Sequence, residues 1–238
     1  MNNLIDLHTH TVLSTHAFST LLENVKIAKE KNLKFYGISD HGPDLPGGQH
    51  IFAIYNNKVI PDYIDGVRVL KGVEINILDA NGSLDLPADL LARLDYGIAS
   101  FHTPLFKEKL SVDQVTNAYL NLCDNPFITI LGHIDDERFK SNYDKVCQKC
   151  AESNTLIEIN CSSLNPNGVR VNSRENYKDI LKACSKYQTR VIINSDAHIC
   201  FDVGNYEPAL NLMKECNFDL NLVVNFNQDL IDEYILKK

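Results

Sequence analysis

Seven short apolar runs alternate along this chain with segments of helical period, and six of the seven end in a residue able to bind a metal. The runs cover 4–7, 35–39, 67–70, 96–100, 127–131, 156–159 and 191–194. At or just past their C-terminal ends stand His8, His41, Glu74, His102, His133 and Asp196, while the sixth run is followed by Asn160. Strand–helix alternation implies parallel strands joined by helical crossovers. An open sheet spreads its strand ends along a line, whereas a closed parallel barrel brings them together on one face, where such folds build their active sites. The predicted class is therefore α/β, a (βα)7 barrel of parallel strands with outer helices, occupying 1–238 as one domain.

The densest cluster is Asp6-Leu7-His8-Thr9-His10-Thr11-Val12-Leu13-Ser14-Thr15-His16, which holds three of the eight histidines. On an extended backbone His8 and His10 leave the same face, and two converging imidazoles chelate a borderline divalent metal. Asp196-Ala197-His198 repeats the spacing near the other end of the chain. Only His50 falls outside the strand ends and their adjoining loops. Helices are expected at 20–32, 87–93, 112–123, 142–153, 173–187, 206–216 and 228–236. In the first, Leu21, Leu22, Val25 and Ala28 are expected on the buried face. The stretch 46–63 has no clear period and reads as a long loop, and Asp79-Ala80-Asn81-Gly82 reads as a tight turn between two extended arms.

A net charge of −8 argues against a nucleic-acid-binding surface, and no stable nucleic-acid complex is expected. No run approaches the length that spans a bilayer, and the first residues lack a basic-then-apolar leader pattern. Seven scattered cysteines do not form a disulfide framework, so the expected setting is the reducing cytoplasm. Cys147 and Cys150 are spaced like a metal or redox motif, but they lie within a helical segment with no second pair at zinc-ribbon spacing, and are read as packing residues or part of a solvated helix face.

His8-Thr9-His10, Ser39-Asp40-His41, Gly72-Val73-Glu74, His102, His133 and Ser195-Asp196-Ala197-His198 together resemble the signature of the PHP (polymerase and histidinol phosphatase) superfamily. The stretch 11–19 with His16, Asp40-His41-Gly42-Pro43-Asp44, Phe101-His102-Thr103-Pro104 and Glu158-Ile159-Asn160 look like its YcdX-type branch. The resemblance implies a distorted seven-stranded barrel and three divalent metals, usually zinc, that hydrolyse phosphate esters. Carried over, His8, His10, Glu74 and Asp196 would hold one metal and its bound hydroxide, the nucleophile. Glu74 would bridge to a second, completed by His102 and His133, and His16, His41 and His198 would hold the third. Ile134 departs from the pattern, since relatives often have proline after the histidine.

Three divalent cations with two carboxylates and seven neutral imidazoles leave a formal charge of about +4, or about +3 with one hydroxide, which suits a small phosphorylated substrate. Such metals can lower the pKa of a bound water towards about 7. An imidazole-rich site accepts manganese or iron as well as zinc. Asp6 and Asp40 are candidates to orient ligand imidazoles, Asn160 to bond substrate or a ligand, and Arg170 with Arg174 to form a phosphate fork. The competing classes are a nucleotide phosphodiesterase or exonuclease on the same scaffold, an amidohydrolase-type metal hydrolase, and a non-catalytic metal-stabilised domain. No lysine stands at the end of the fourth run, Ala99-Ser100-Phe101-His102, to serve as the amidohydrolase bridge. Homo-oligomerisation leaves no sequence signal.

Overall fold

The apolar runs become strands and the periodic segments become helices around them. The computed structural model describes residues 3–236. The strands are β1 (Ile5–Asp6), β2 (Phe35–Ile38), β3 (Tyr63–Ile64), β4 (Val67–Asn76), β5 (Tyr96–Ser100), β6 (Ile130–Leu131), β7 (Leu156–Asn160) and β8 (Val191–Asn194). Seven of them run parallel in the order β1-β2-β4-β5-β6-β7-β8, and β3 pairs antiparallel on the flank of β4. The helices are α1 (Leu21–Glu30), α2 (Ile51–Asn56), α3 (Ala88–Leu91), α4 (Val112–Cys123), α5 (Tyr143–Ser153), α6 (Ser173–Tyr187), α7 (Glu207–Glu215) and α8 (Gln228–Tyr234). Among the described residues no helix is long and apolar enough to cross a membrane.

The barrel closes unevenly. A parallel bridge between Thr9 and Ala197 joins the first and last strands at their C-terminal ends. Lower down the chain segment 223–225 separates them: Val223 bridges to Val191 beside β8, and the Asn225 amide donates to the carbonyls of Ile5 and Ile193 at 3.0 and 2.7 Å. One side chain thus satisfies backbone groups that a regular ladder would pair, and this wedge is the distortion of the barrel.

Two-residue alternation along the strands fills the interior in layers. Ile5, Leu7, Leu70, Tyr96, Ile98, Ile130, Leu156 and Ile192 form a buried inner core, and Ile231 and Ile235 of the α8 region pack into the same cluster. Continuing up the same faces, Leu70 is followed by Gly72, Glu74 and Asn76, Leu156 by Glu158 and Asn160, and Ile192 by Asn194 and Asp196. The strands therefore change from apolar to polar along their length, which puts the inward-facing carboxylates Glu74, Glu158 and Asp196 at one end. Tyr96 lies beneath that polar layer, its hydroxyl donating to the carbonyl of Leu7 at 2.6 Å, and Gly72 makes room for its ring. A Cβ on Gly72 would sit 2.3 Å from the tyrosine Cζ. Gly72→Ala is expected to cost about 1–3 kcal/mol by overpacking, read as a lower urea midpoint. An unchanged midpoint would show that the ring has room to move.

Several expectations need correction. The stretch 46–63 is not a continuous loop: it contains α2, capped by His50 Nδ1 accepting from Phe52 N at 3.2 Å, and the antiparallel β3. The six-residue helix is too short to show a period, and histidine is not among the usual capping residues. Leu22 is exposed, and Asn24 takes the inward place on α1, donating to the His10 carbonyl and the Tyr36 hydroxyl at 2.9 and 3.0 Å. The third run extends without a break through Gly72 to Asn76. Cys147 and Cys150 are fully buried and face different helices: Cys150 Sγ lies 3.5 Å from Cys123 on α4, and Cys147 Sγ 3.7 Å from Cys184 on α6.

Candidate metal centre

Glu74 is the hub of the polar end. Its Oε1 lies 3.3 Å from His8 Nε2, 3.2 Å from His102 Nε2 and 2.8 Å from His133 Nε2. Its Oε2 lies 2.6 Å from His41 Nδ1 and 3.6 Å from His10 Nε2. Asp196 is a second hub, with Oδ1 3.1 Å from His10 Nε2 and 3.5 Å from both His8 Nε2 and His198 Nδ1. His16 completes the ring, its Nε2 3.2 Å from that of His41. Seven imidazoles and two carboxylates from six strand ends and two loops thus meet in one place.

Two of these residues sit on unusual backbone. His133 has φ +28° and Asp196 φ +54°, the left-handed region that non-glycine residues seldom adopt. Ile130 faces the barrel interior, so regular alternation would turn His133 outward. The positive φ interrupts that alternation, and the imidazole reaches Glu74. Strain of this kind is held in place by surrounding structure at functional sites.

Buried groups behind the ring fix its tautomers. Glu158, fully buried, accepts four donors: His8 Nδ1 at 2.7 Å, Asn194 Nδ2 at 2.8 Å, the His133 backbone N–H at 2.8 Å and Asn160 Nδ2 at 3.0 Å. The Nδ1 contact with Glu158 turns His8 Nε2 towards the two hub carboxylates, where it would face a bound cation. Asn76 does the same for His102, its Oδ1 2.7 Å from Nδ1. His198 Nδ1 is 3.1 Å from the Asp196 carbonyl.

Electrostatics favour a cation here. Burial lowers the proton affinity of His8, but Glu158, Glu74 and Asp196 outweigh it and raise its pKa well above the ordinary imidazole value. Burial pushes the Glu74 carboxyl up, yet His8, His102 and His41 hold it well below the usual carboxylate range. Burial also raises Asp196, and His8 and Arg170 reverse it, holding it well below its usual value. His10 shifts the other way, kept neutral by burial and by His41 and His198. His10, neutral beside the ionised Glu74 and Asp196, is in the protonation state a metal requires.

The donor set fits divalent ions on a second count. His8 Nε2, His41 Nδ1, His102 Nε2 and Glu74 Oε2 are buried and have no hydrogen-bond partner, although His41 and Glu74 approach to 2.6 Å. Buried polar atoms are rarely left so, and four of them aimed at one centre match a metal cluster. Ligand atoms of His8, His10 and Glu74, of His41, Glu74 and His102, and of His10, His41 and His198 each lie within 4.8 Å of one another. His41, like His10 and Glu74, is shared by two of these groups.

The residues expected around the ring fare differently. Asp6 bonds no imidazole; it accepts from Ser195 N and Oγ at 3.1 and 2.6 Å and from Gly204 N at 2.8 Å, tying down the loop after β8. Asp40 likewise binds a loop, accepting from Thr11 N and Oγ1 and from Ser14 Oγ at 2.7–2.8 Å. Asn160 donates to Asp196 Oδ2 at 3.1 Å, and Arg170 Nη2 donates to the same oxygen at 3.0 Å. Arg174 is elsewhere, paired at the surface with Glu215 at 2.5 Å, and forms no fork with Arg170. Arg138 was not anticipated: it lines the cleft over the ring together with Arg170, and Asp136 Oδ2 accepts from its Nη2 at 2.6 Å. Glu158 and Asn76 were also missed, although each continues the two-residue alternation that places Glu74 and Asn160 inside the barrel.

The PHP domain model matches residues 6–162. The chain belongs to the PHP family. Probable phosphatases of Clostridium novyi (strain NT) and Clostridium acetobutylicum are 40% and 42% identical to this PHP chain over 238 residues, covering all of it and 96% of each relative. One from Caldanaerobacter subterraneus subsp. tengcongensis is 40% identical, with 99% of this chain and 92% of the relative covered. The histidinol phosphate phosphatase of Lactococcus lactis, solved with zinc, L-histidinol and phosphate, shares the fold at TM-score 0.61 and 14% identity, over 91% of this chain and 95% of that one. A chain of an archaeal ribonuclease P with mature tRNA shares it at TM-score 0.56 and 16% identity, over 98% and 88%.

Proposed function

We propose that the chain is a phosphatase of small phosphorylated molecules, cleaving a phosphomonoester with water to give an alcohol and inorganic phosphate. The observation that carries this reading is the ring of seven imidazoles and two carboxylates, buried at His8, His10, His41, His133, Glu74 and Asp196, with four unpartnered atoms at its centre. The names of the relatives agree with it. In this reading His8, His10, Glu74 and Asp196 hold one divalent cation, Glu74, His102 and His133 a second, and His16, His41 and His198 a third, zinc being the first candidate. Cations bound there supply a hydroxide near neutral pH and neutralise charge on the phosphoryl group.

The protein's own groups do the rest. Glu158 and Asn76 keep imidazole lone pairs aimed inward. Arg170, held by Asp196 and by Ser163 Oγ at 3.2 Å, stays charged and lines a cleft of about 380 Å³ over the ring. A planar guanidinium there suits the oxygens of a phosphate. Arg170→Met is expected to lower kcat/KM for a phosphomonoester about tenfold, from a charged hydrogen bond worth roughly 1.5 kcal/mol. The test of the reading is turnover of p-nitrophenyl phosphate against bis(p-nitrophenyl) phosphate by the zinc- or manganese-loaded chain. The monoester should be the faster substrate; preference for the diester, or turnover of neither, would contradict the proposal.

A further inference from the structure

We infer that the body of the substrate, the alcohol released on hydrolysis, lies in a second cavity beyond Arg138 and is aromatic or similarly apolar. This assignment rests on the phosphatase reading above. The second cavity, of about 400 Å³, shares Thr103 and Arg138 with the cleft over the metal-binding ring, so the two adjoin at these side chains. Its size falls within the range of small-molecule sites, roughly 300–1,000 Å³.

The walls are apolar. Phe106, Phe139 and Val171 line the cavity, and the two phenylalanine rings pack with Phe101 at centroid distances of 4.9–5.4 Å. Such a trio is a firm surface for an aromatic group to stack against. On the rim Lys107 and Lys109 are matched in number by Glu108 and Glu137, so no net charge calls for a charged body. At the boundary Arg138 is held by Asp136 through Nε and Nη2, at 2.9 and 2.6 Å. Its Nη1 has no hydrogen bond among the described residues and is available to an oxygen bridging phosphorus and the alcohol. A phosphoryl group over the ring and an apolar group against Phe106 and Phe139 would then meet at Arg138.

The decisive comparison uses 2-phenylethyl phosphate and ethyl phosphate, which differ by the phenyl group while both release a primary alcohol. Val171 is half exposed, so Val171→Asp places a charge in the wall without opening the core. In the metal-loaded chain this change should lower kcat/KM for 2-phenylethyl phosphate on the order of tenfold and leave that for ethyl phosphate unchanged. Phe106→Ala, at a partly buried position, should act in the same direction. Equal turnover of the two esters by the unaltered chain, or variants that slow both equally or neither, would overturn the cavity assignment while leaving the phosphatase reading intact. Turnover of neither ester by the unaltered chain would overturn both.

Discussion

Glu74→Gln is expected to reduce phosphomonoester turnover on the order of 10³-fold, since charge stabilisation by bound metals is worth several kcal/mol and each ~1.4 kcal/mol is tenfold. The substitution keeps the size of the side chain and removes the charge that five imidazoles surround at 2.6–3.6 Å. The amide nitrogen would also face ring nitrogens, and a donor placed there cannot bind a cation. The metal content of the purified variant should fall together with kcat/KM. Full metal content with undiminished turnover would show that Glu74 is not the bridge on which this account depends.

Glu158→Gln should lower metal affinity or activity roughly 10- to 100-fold, although Glu158 itself belongs to no proposed ligand set. A carboxylate offers about four acceptor positions, and here all are used, by His8, Asn194, His133 and Asn160. Glutamine must turn two N–H groups towards one pair of those donors. If the amide oxygen faces His8, the Nδ1 proton is kept and the His133 backbone N–H loses its acceptor; the reverse orientation frees the tautomer of His8. Titration with zinc and a urea midpoint on the same variant separate the two effects. Unchanged affinity and turnover in a folded variant would remove Glu158 from the account.

The barrel was legible because apolar runs alternate with segments of helical period and lead into metal-binding types, Leu70 towards Glu74 and Asn194 towards Asp196. A periodic signal of that kind survives without any knowledge of neighbours. What stayed hidden depends on contacts distant in sequence. Asp6 and Asp40 stand beside ligands in the chain, and adjacency suggested that they orient imidazoles. Their carboxylates instead accept from the loop around 195–204 and from Thr11 and Ser14. Glu158 reaches His8 across 150 positions, and no local pattern announces such a partner. Arg174 and Arg170 looked equivalent in sequence; the first lies in the opening turn of α6 and pairs with Glu215 on α7, while the second, in the loop before that helix, folds back over Asp196. Arg138 escaped notice because its role follows from where the loop after β6 passes, which is a property of the closed barrel.

In the proposed reading the ring of histidines and carboxylates is a metal centre and the metals carry phosphoester hydrolysis. Elemental analysis of the purified chain, with p-nitrophenyl phosphate turnover measured on the same sample before and after chelation, tests it most directly. About three divalent ions per chain are expected, with turnover lost on chelation and restored by zinc or manganese. Less than about one ion per chain after incubation with excess metal, or full loading without hydrolysis, would contradict it.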